Sequence, residues 1–113
     1  MRERTMALID EDRVTKALQY LAMTDTEAAK AKAKAEVMKK HDKTVKAYGF
    51  LDASGTVAER EAQSVTTDQW RKYEKDLQEA IVDSETMQNK RDTEKGIVEV
   101  WRTEQANRRK GNI

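Results

Sequence analysis

Trp70, Tyr73, Leu77, Ala80, Ser84, Met87, Arg91, Glu94, Val98 and Trp101 follow one another at alternating spacings of three and four. That is the heptad spacing of a helix that lays one stripe against a partner helix. It predicts a single helix over residues 68–109, roughly 60 Å long at ~1.5 Å per residue. Proline is absent from all 113 residues, so nothing forces this helix to break. The bulky members Trp70, Tyr73, Leu77, Met87, Val98 and Trp101 form the candidate helix seam. Its middle is polar, at Ser84, Arg91 and Glu94. Polar residues in a seam weaken packing but fix register. Gly96 costs about 1 kcal/mol against alanine in a helix interior and is read as a bend or a close helix approach.

With no proline, the other boundaries must come from glycine and capping residues. Val14, Ala17, Leu18 and Leu21 recur at helical spacing and place a first helix at 11–22. Thr24-Asp25-Thr26-Glu27 reads as a capping box, which starts a second helix at 25 and carries it to 51. Ala28, Ala31, Ala35, Met38, Val45 and Tyr48, widened by Val37 and Leu51, mark its expected buried side. Thr56-Val57-Ala58-Glu59 is a second capping box and opens a short helix over 57–65. Thr66 or Thr67 caps the last helix, with Asp68 favourable to its dipole. The first two helices are expected to fold back antiparallel on the last one. Trp101 then lies near the first helix, and Trp70 near Tyr48 and Leu51.

Charged residues make up 38% of the chain and hydrophobic ones 37%. A typical globular domain is about 25% charged. The expectation is therefore an all-α chain forming a single helical domain over 1–113, an elongated antiparallel helical hairpin or bundle with a long C-terminal helix. One chain of this composition buries little apolar surface, so a homo-oligomer is expected to complete the core. Cysteine is absent, which removes disulfides and thiolate metal sites. Ala7, Leu8 and Ile9 are too short a run for a signal-peptide core, and no stretch reaches the ~20 apolar residues of a membrane span. A cytoplasmic protein without membrane contact is expected.

Charge is sorted along the chain. Residues 30–46 hold seven lysines against Glu36 and Asp42, whereas 74–85 hold Lys75 against five carboxylates. On a continuous second helix, Lys32, Lys39, Lys43 and Lys46 fall within an arc of about 60° at ~100° per residue. They are candidate contacts for nucleic-acid phosphates or an acidic partner. Arg102, Arg108, Arg109 and Lys110 extend the candidates into the tail. A solvated helix face and a dipole-friendly C-terminus are the plainer readings. The stripe carries no aromatic residues to stack bases, so it would contact backbone without reading sequence. Ile113 is a further, weaker candidate for insertion into a partner pocket.

Catalysis finds little to work with. His41 is the only histidine, so a triad, a histidine general base or a zinc site would each have to use it. Between Val37 and Val45 it is expected to be a partly buried structural residue, with pH sensing as the alternative. Glu59 with Glu61, Asp83 with Glu85, and Glu99 with Glu104 are not at the spacing of a common helix face, and the glycines form no phosphate loop. No cofactor, metal or small-molecule substrate is expected, and the chain is read as a non-enzyme. Asp42 lies in line with Ala35, Met38, Val45 and Gly49. If buried it needs a cationic partner; Lys90 or Arg91 is expected, or a polar contact to another chain.

Tyr20-Leu21-Ala22, Thr24-Asp25-x-Glu27-Ala28-Ala29, Gly55-Thr56-Val57-Ala58-Glu59-Arg60-Glu61-Ala62, Val100-Trp101-Arg102 and Asn107-Arg108-Arg109-Lys110-Gly111 carry a resemblance. From residue 14 to the end, the chain resembles short helical proteins encoded by tailed bacteriophages and prophages. These look like products of early or DNA-metabolism gene clusters, often close to recombination genes, and have no agreed activity or catalytic residues. The resemblance implies a source and a setting, including the host cytoplasm, and carries no site over.

Three functions are consistent with these observations. The first is an accessory protein acting in DNA metabolism or host takeover through helix-mediated protein contacts. The second is a sequence-independent nucleic-acid binder using the basic patches. The third is a structural or inhibitory protein that binds a host or virion protein.

Overall fold

The computed structural model describes residues 9–111. They form four helices: α1 (Glu11–Lys40), α2 (Asp42–Asp52), α3 (Val57–Ser64) and α4 (Asp68–Gly111). No strand occurs among the described residues. Contacts divide the chain into two units. One joins the part of α1 up to Glu27 to α4 from Thr86 onward; the other is Ala28–Glu85.

In the first unit, α1 starts where Asp10 accepts from the Arg13 amide through its side chain, at 2.8 Å. Its apolar centre is small: Val14, Ala17 and Val98 are buried, with Ile9, Ile97 and Trp101 packed around them. Trp101 therefore does lie near the first helix. The pairing is antiparallel, because Ile9 donates its amide to Glu104 while Arg13 reaches Glu94.

In the second unit, Ala35 and Ala80 are the buried apolar residues. The α2–α3 connection is set by its caps. Thr56 caps α3 as expected, accepting from the Glu59 amide at 3.2 Å; the Glu59 carboxylate reaches back to the Thr56 hydroxyl, at 3.1 Å, rather than to its amide. Gly55 before it has φ +110, a conformation that side chains disfavour. Thr67, rather than Thr66, caps α4 by accepting from the Trp70 amide. Gly49 is buried against α3: a Cβ there would lie 3.0 Å from Ser64 Cα and carbonyl oxygen, so the two backbones meet at this pair.

The expected break at Thr24 is absent. α1 runs through it and ends at Lys40, and the chain resumes as α2 after His41. Two local facts account for the shift. Thr24 turns its hydroxyl back to the Tyr20 carbonyl and also accepts from Arg91, so it is not available as a cap. At the other end, the Met38 carbonyl accepts both from the His41 amide and from the Tyr73 hydroxyl. A side chain inserted into the helical ladder is a standard cause of a break without proline or glycine. Burial raises the pKa of that hydroxyl, helped by the nearby Asp42 charge, so Tyr73 stays a donor.

Past His41 the covered line continues from Ala35 and Met38 through Asp42, Val45 and Gly49. Tyr48 and Leu51, expected inside, are 61% and 69% exposed, and Val37 is half-exposed. Val45, also expected inside, is half-covered, as are Asp42 and Phe50, and Gly49 is buried against Ser64. Trp70 accordingly packs with Tyr73 and under the Lys46 ammonium, each about 5 Å away (5.4 and 5.1 Å). His41, expected near the apolar side, is exposed.

Gly96 is not a close approach, since a Cβ there would meet nothing within 4 Å, and α4 runs through it without a break. Gly96→Ala is predicted to raise stability by about 1 kcal/mol through helix propensity alone. Gly49→Val, which must push into Ser64, is predicted to lower it; thermal unfolding of both variants by circular dichroism checks the opposite signs. Trp101→Ala is predicted to cost about 3 kcal/mol in the same measurement, as a large aromatic leaves a small apolar cluster.

Candidate interaction surface

Heptad spacing in α4 brings Arg91 and Glu94 onto its covered side, and α1 answers both. Arg91, 8% exposed, donates to the Leu21 carbonyl at 2.8 Å, the Thr24 hydroxyl at 2.6 Å and the Asp25 carboxylate at 3.3 Å. Arg13 meets Glu94 with two parallel bonds of 2.7 Å, the bidentate fork that suits a guanidinium and a carboxylate. This pairing holds the Glu94 carboxyl below the usual carboxylate range. Among the described residues no buried side-chain nitrogen or oxygen lacks a partner. The polar middle of the seam is thus internally satisfied. Asp42 does not take the partner expected for it. It lies 3.6 Å from Lys46 one turn along α2, while Arg91 is held by Leu21, Thr24 and Asp25.

The basic candidates are partly engaged. Lys32 and Lys39 sit on α1, Lys43 and Lys46 on α2, so the break at His41 interrupts the expected single stripe. Lys46 is tied to Asp42 and the Trp70 ring. Lys32, Lys39 and Lys43 are exposed. In α4, Arg102 pairs with Glu99 at 3.0 Å. Arg108, Arg109 and Lys110 form the exposed last turn, where cations complement the helix dipole. Ile113 lies outside the described residues. Of these cations, Lys43 and Lys46 line one groove. Among the described residues no group of histidine and carboxylate side chains is placed to hold a metal ion, and no helix is long and apolar enough to cross a membrane.

An open groove between α2 and α3 was not anticipated from the sequence. It encloses roughly 650 Å³ and is lined by Lys43, Lys46, Ala47, Phe50 and Leu51 from α2 and by Glu61, Ser64 and Val65 opposite. The spacing on α2 is i, i+3, i+4, i+7 and i+8, one helix face; on the other wall Glu61 and Ser64 of α3 are followed by Val65 just past its end. The end of α2 is held in place by Arg60, which donates to the Phe50 carbonyl and stacks 4.3 Å over its ring. Gln63 reaches across the connection to the Ser54 carbonyl at 3.0 Å. Leu51 and Val65 are exposed apolar edges of the groove, with Tyr48 and Val57 exposed on the same two helices. Gly49 offered a partial signal, since a glycine within a helix permits the close backbone approach seen here against Ser64.

In comparisons with known proteins, no family model, curated protein or solved structure matches this chain.

The Glu94 shift has a consequence for acid stability. A carboxyl whose folded-state pKa is lowered contributes stability that is present above its unfolded value, about 4.3, and is lost as the pH falls through the lower folded value. Wild-type melting temperature is predicted to decline as the pH drops below ~4. Glu94→Gln should melt lower than wild type at neutral pH and show a shallower acid decline, as measured by thermal scans across a pH series.

Proposed function

We propose that this protein is a non-catalytic helical interaction module that binds another polypeptide through the α2–α3 groove. The observation that carries the reading is the apolar lining of that groove together with the exposure of Leu51 and Val65 on its edge. Apolar side chains grouped around a concave surface are what a partner side chain can cover. The setting, an accessory role in DNA metabolism or in host takeover, rests on the sequence resemblance to phage-encoded helical proteins. Binding of a host or virion protein as an inhibitor or structural component is the same surface put to another use.

A photo-crosslinking amino acid placed at Leu51, compared with one at Val100 on α4, tests this reading. The outcome expected is a discrete protein adduct from position 51 and none from position 100. Absence of any adduct at 51 would remove the groove as the contact.

Direct nucleic-acid binding is favoured by one observation, the exposure of Lys32, Lys39 and Lys43. Fluorescence anisotropy with labelled single- and double-stranded DNA across a salt series separates it from the first reading. Phosphate contacts weaken steeply with salt, and Lys32→Ala/Lys39→Ala/Lys43→Ala should then lower affinity for every sequence alike. Unchanged affinity in that triple variant would count against the stripe.

A further inference from the structure

The groove walls differ in charge. The α2 wall presents Lys43 and Lys46 beside Ala47, Phe50 and Leu51, whereas the α3 wall presents Glu61 beside Ser64 and Val65. Lys46 is partly neutralised by Asp42, which leaves Lys43 as the more available cation. A surface with a basic edge, an apolar centre and an acidic edge has a special property under a twofold axis. Rotation by half a turn lays the basic edge of one copy on the acidic edge of the other, and the apolar centres meet between them. In such an isologous contact each pairing occurs twice.

The apolar residues fit the same arrangement. Leu51 belongs to the groove lining and is also 69% exposed, so it is both a wall of its own groove and a projecting side chain. Val65 stands at the opposite wall, 41% exposed. We infer that a second copy of this chain occupies the α2–α3 groove, with Leu51 of each copy seated in the groove of the other and Lys43 set against Glu61 across the twofold axis.

A homodimer also answers the composition. Buried apolar side chains in the described residues are confined to Val14, Ala17, Ala35, Ala80 and Val98. Obligate and stable homodimers supply the missing core from the partner's surface, and their interfaces are more apolar than the rest of the protein exterior. The cations and carboxylates at the rim set orientation more than affinity.

The inference rests on the reading of the groove as a protein-binding surface, and the test separates the two. Sedimentation velocity of the purified full chain over ~1 to ~100 µM should give a dimer that dissociates on dilution. Leu51→Glu should be monomeric over that range while keeping its helical circular dichroism, because residue 51 is exposed within the chain. Lys43→Glu and Glu61→Lys should each weaken the dimer by about tenfold, since two like-charge contacts replace two opposite ones. The double variant Lys43→Glu/Glu61→Lys should recover wild-type dimerisation. A wild-type monomer at the highest concentration overturns the inference, as does a dimer indifferent to Leu51→Glu and to both charge reversals. If the chain is monomeric and position 51 still crosslinks to a different protein, the second copy is excluded and the interaction reading stands. If position 51 crosslinks to nothing, both fall.

Discussion

Arg91 and Glu94 sit about one helical turn apart on the covered side of α4, and each has to find a partner on α1, because a charge withdrawn from water without one is expensive. Arg91 finds a carbonyl, a hydroxyl and a carboxylate at Leu21, Thr24 and Asp25. Glu94 finds the Arg13 fork. The two sets lie on α1 in the reverse order of their partners on α4, so satisfying both at once admits only an antiparallel pairing in one register. The small apolar cluster of Val14, Ala17 and Val98 is much less selective, since alanine and valine stripes tolerate sliding. Ion pairs with one side chain exposed, as those of Arg13 and Asp25 are here, contribute modestly to net stability. Their value here lies in register, and the continuity of α1 through Thr24 follows from it.

Having so little apolar interior leaves a surplus on the surface. Leu18, Met23, Tyr48, Leu51, Val57 and Val82 are all at least about half exposed (49% or more). Isolated exposed apolar side chains are ordinary. Those on α2 and α3 differ because Gly49 and Ser64 draw the two helices into contact and leave a groove beside it. The same close approach that stabilises the α2–α3 connection therefore creates the surface proposed for binding.

Much of this architecture was legible in the sequence. All ten seam positions from Trp70 to Trp101 are buried or half-buried, because a long heptad stripe without proline has few alternatives. The Thr56 cap of α3 was legible too, since the residues that form it are neighbours in sequence. The α1–α2 boundary was not. Thr24-x-x-Glu27 has the composition of a cap, yet the spacing 14, 17, 21, 24, 28, 31, 35, 38, 42, 45, 49 runs through it without a change of register, and all of these positions are buried or half-buried. That continuity was the better signal. The true break depends on the Tyr73 hydroxyl reaching the Met38 carbonyl, 35 residues away in sequence, which no local pattern encodes. The groove was hidden for a similar reason: it depends on the meeting of Gly49 with Ser64 on another helix, which no local pattern encodes.

The central claim is that charged seam residues set how α1 lies on α4, and a charge exchange between Arg13 and Glu94 tests it most directly. Stability would be measured by urea unfolding for Arg13→Glu, Glu94→Arg and the combined variant, each followed by circular dichroism. The account predicts that both single reversals destabilise, by placing like charges against each other, and that the exchanged pair recovers most of the loss. Simple addition of the two single effects in the combined variant would contradict it, because the two residues would then act independently and could not specify a register.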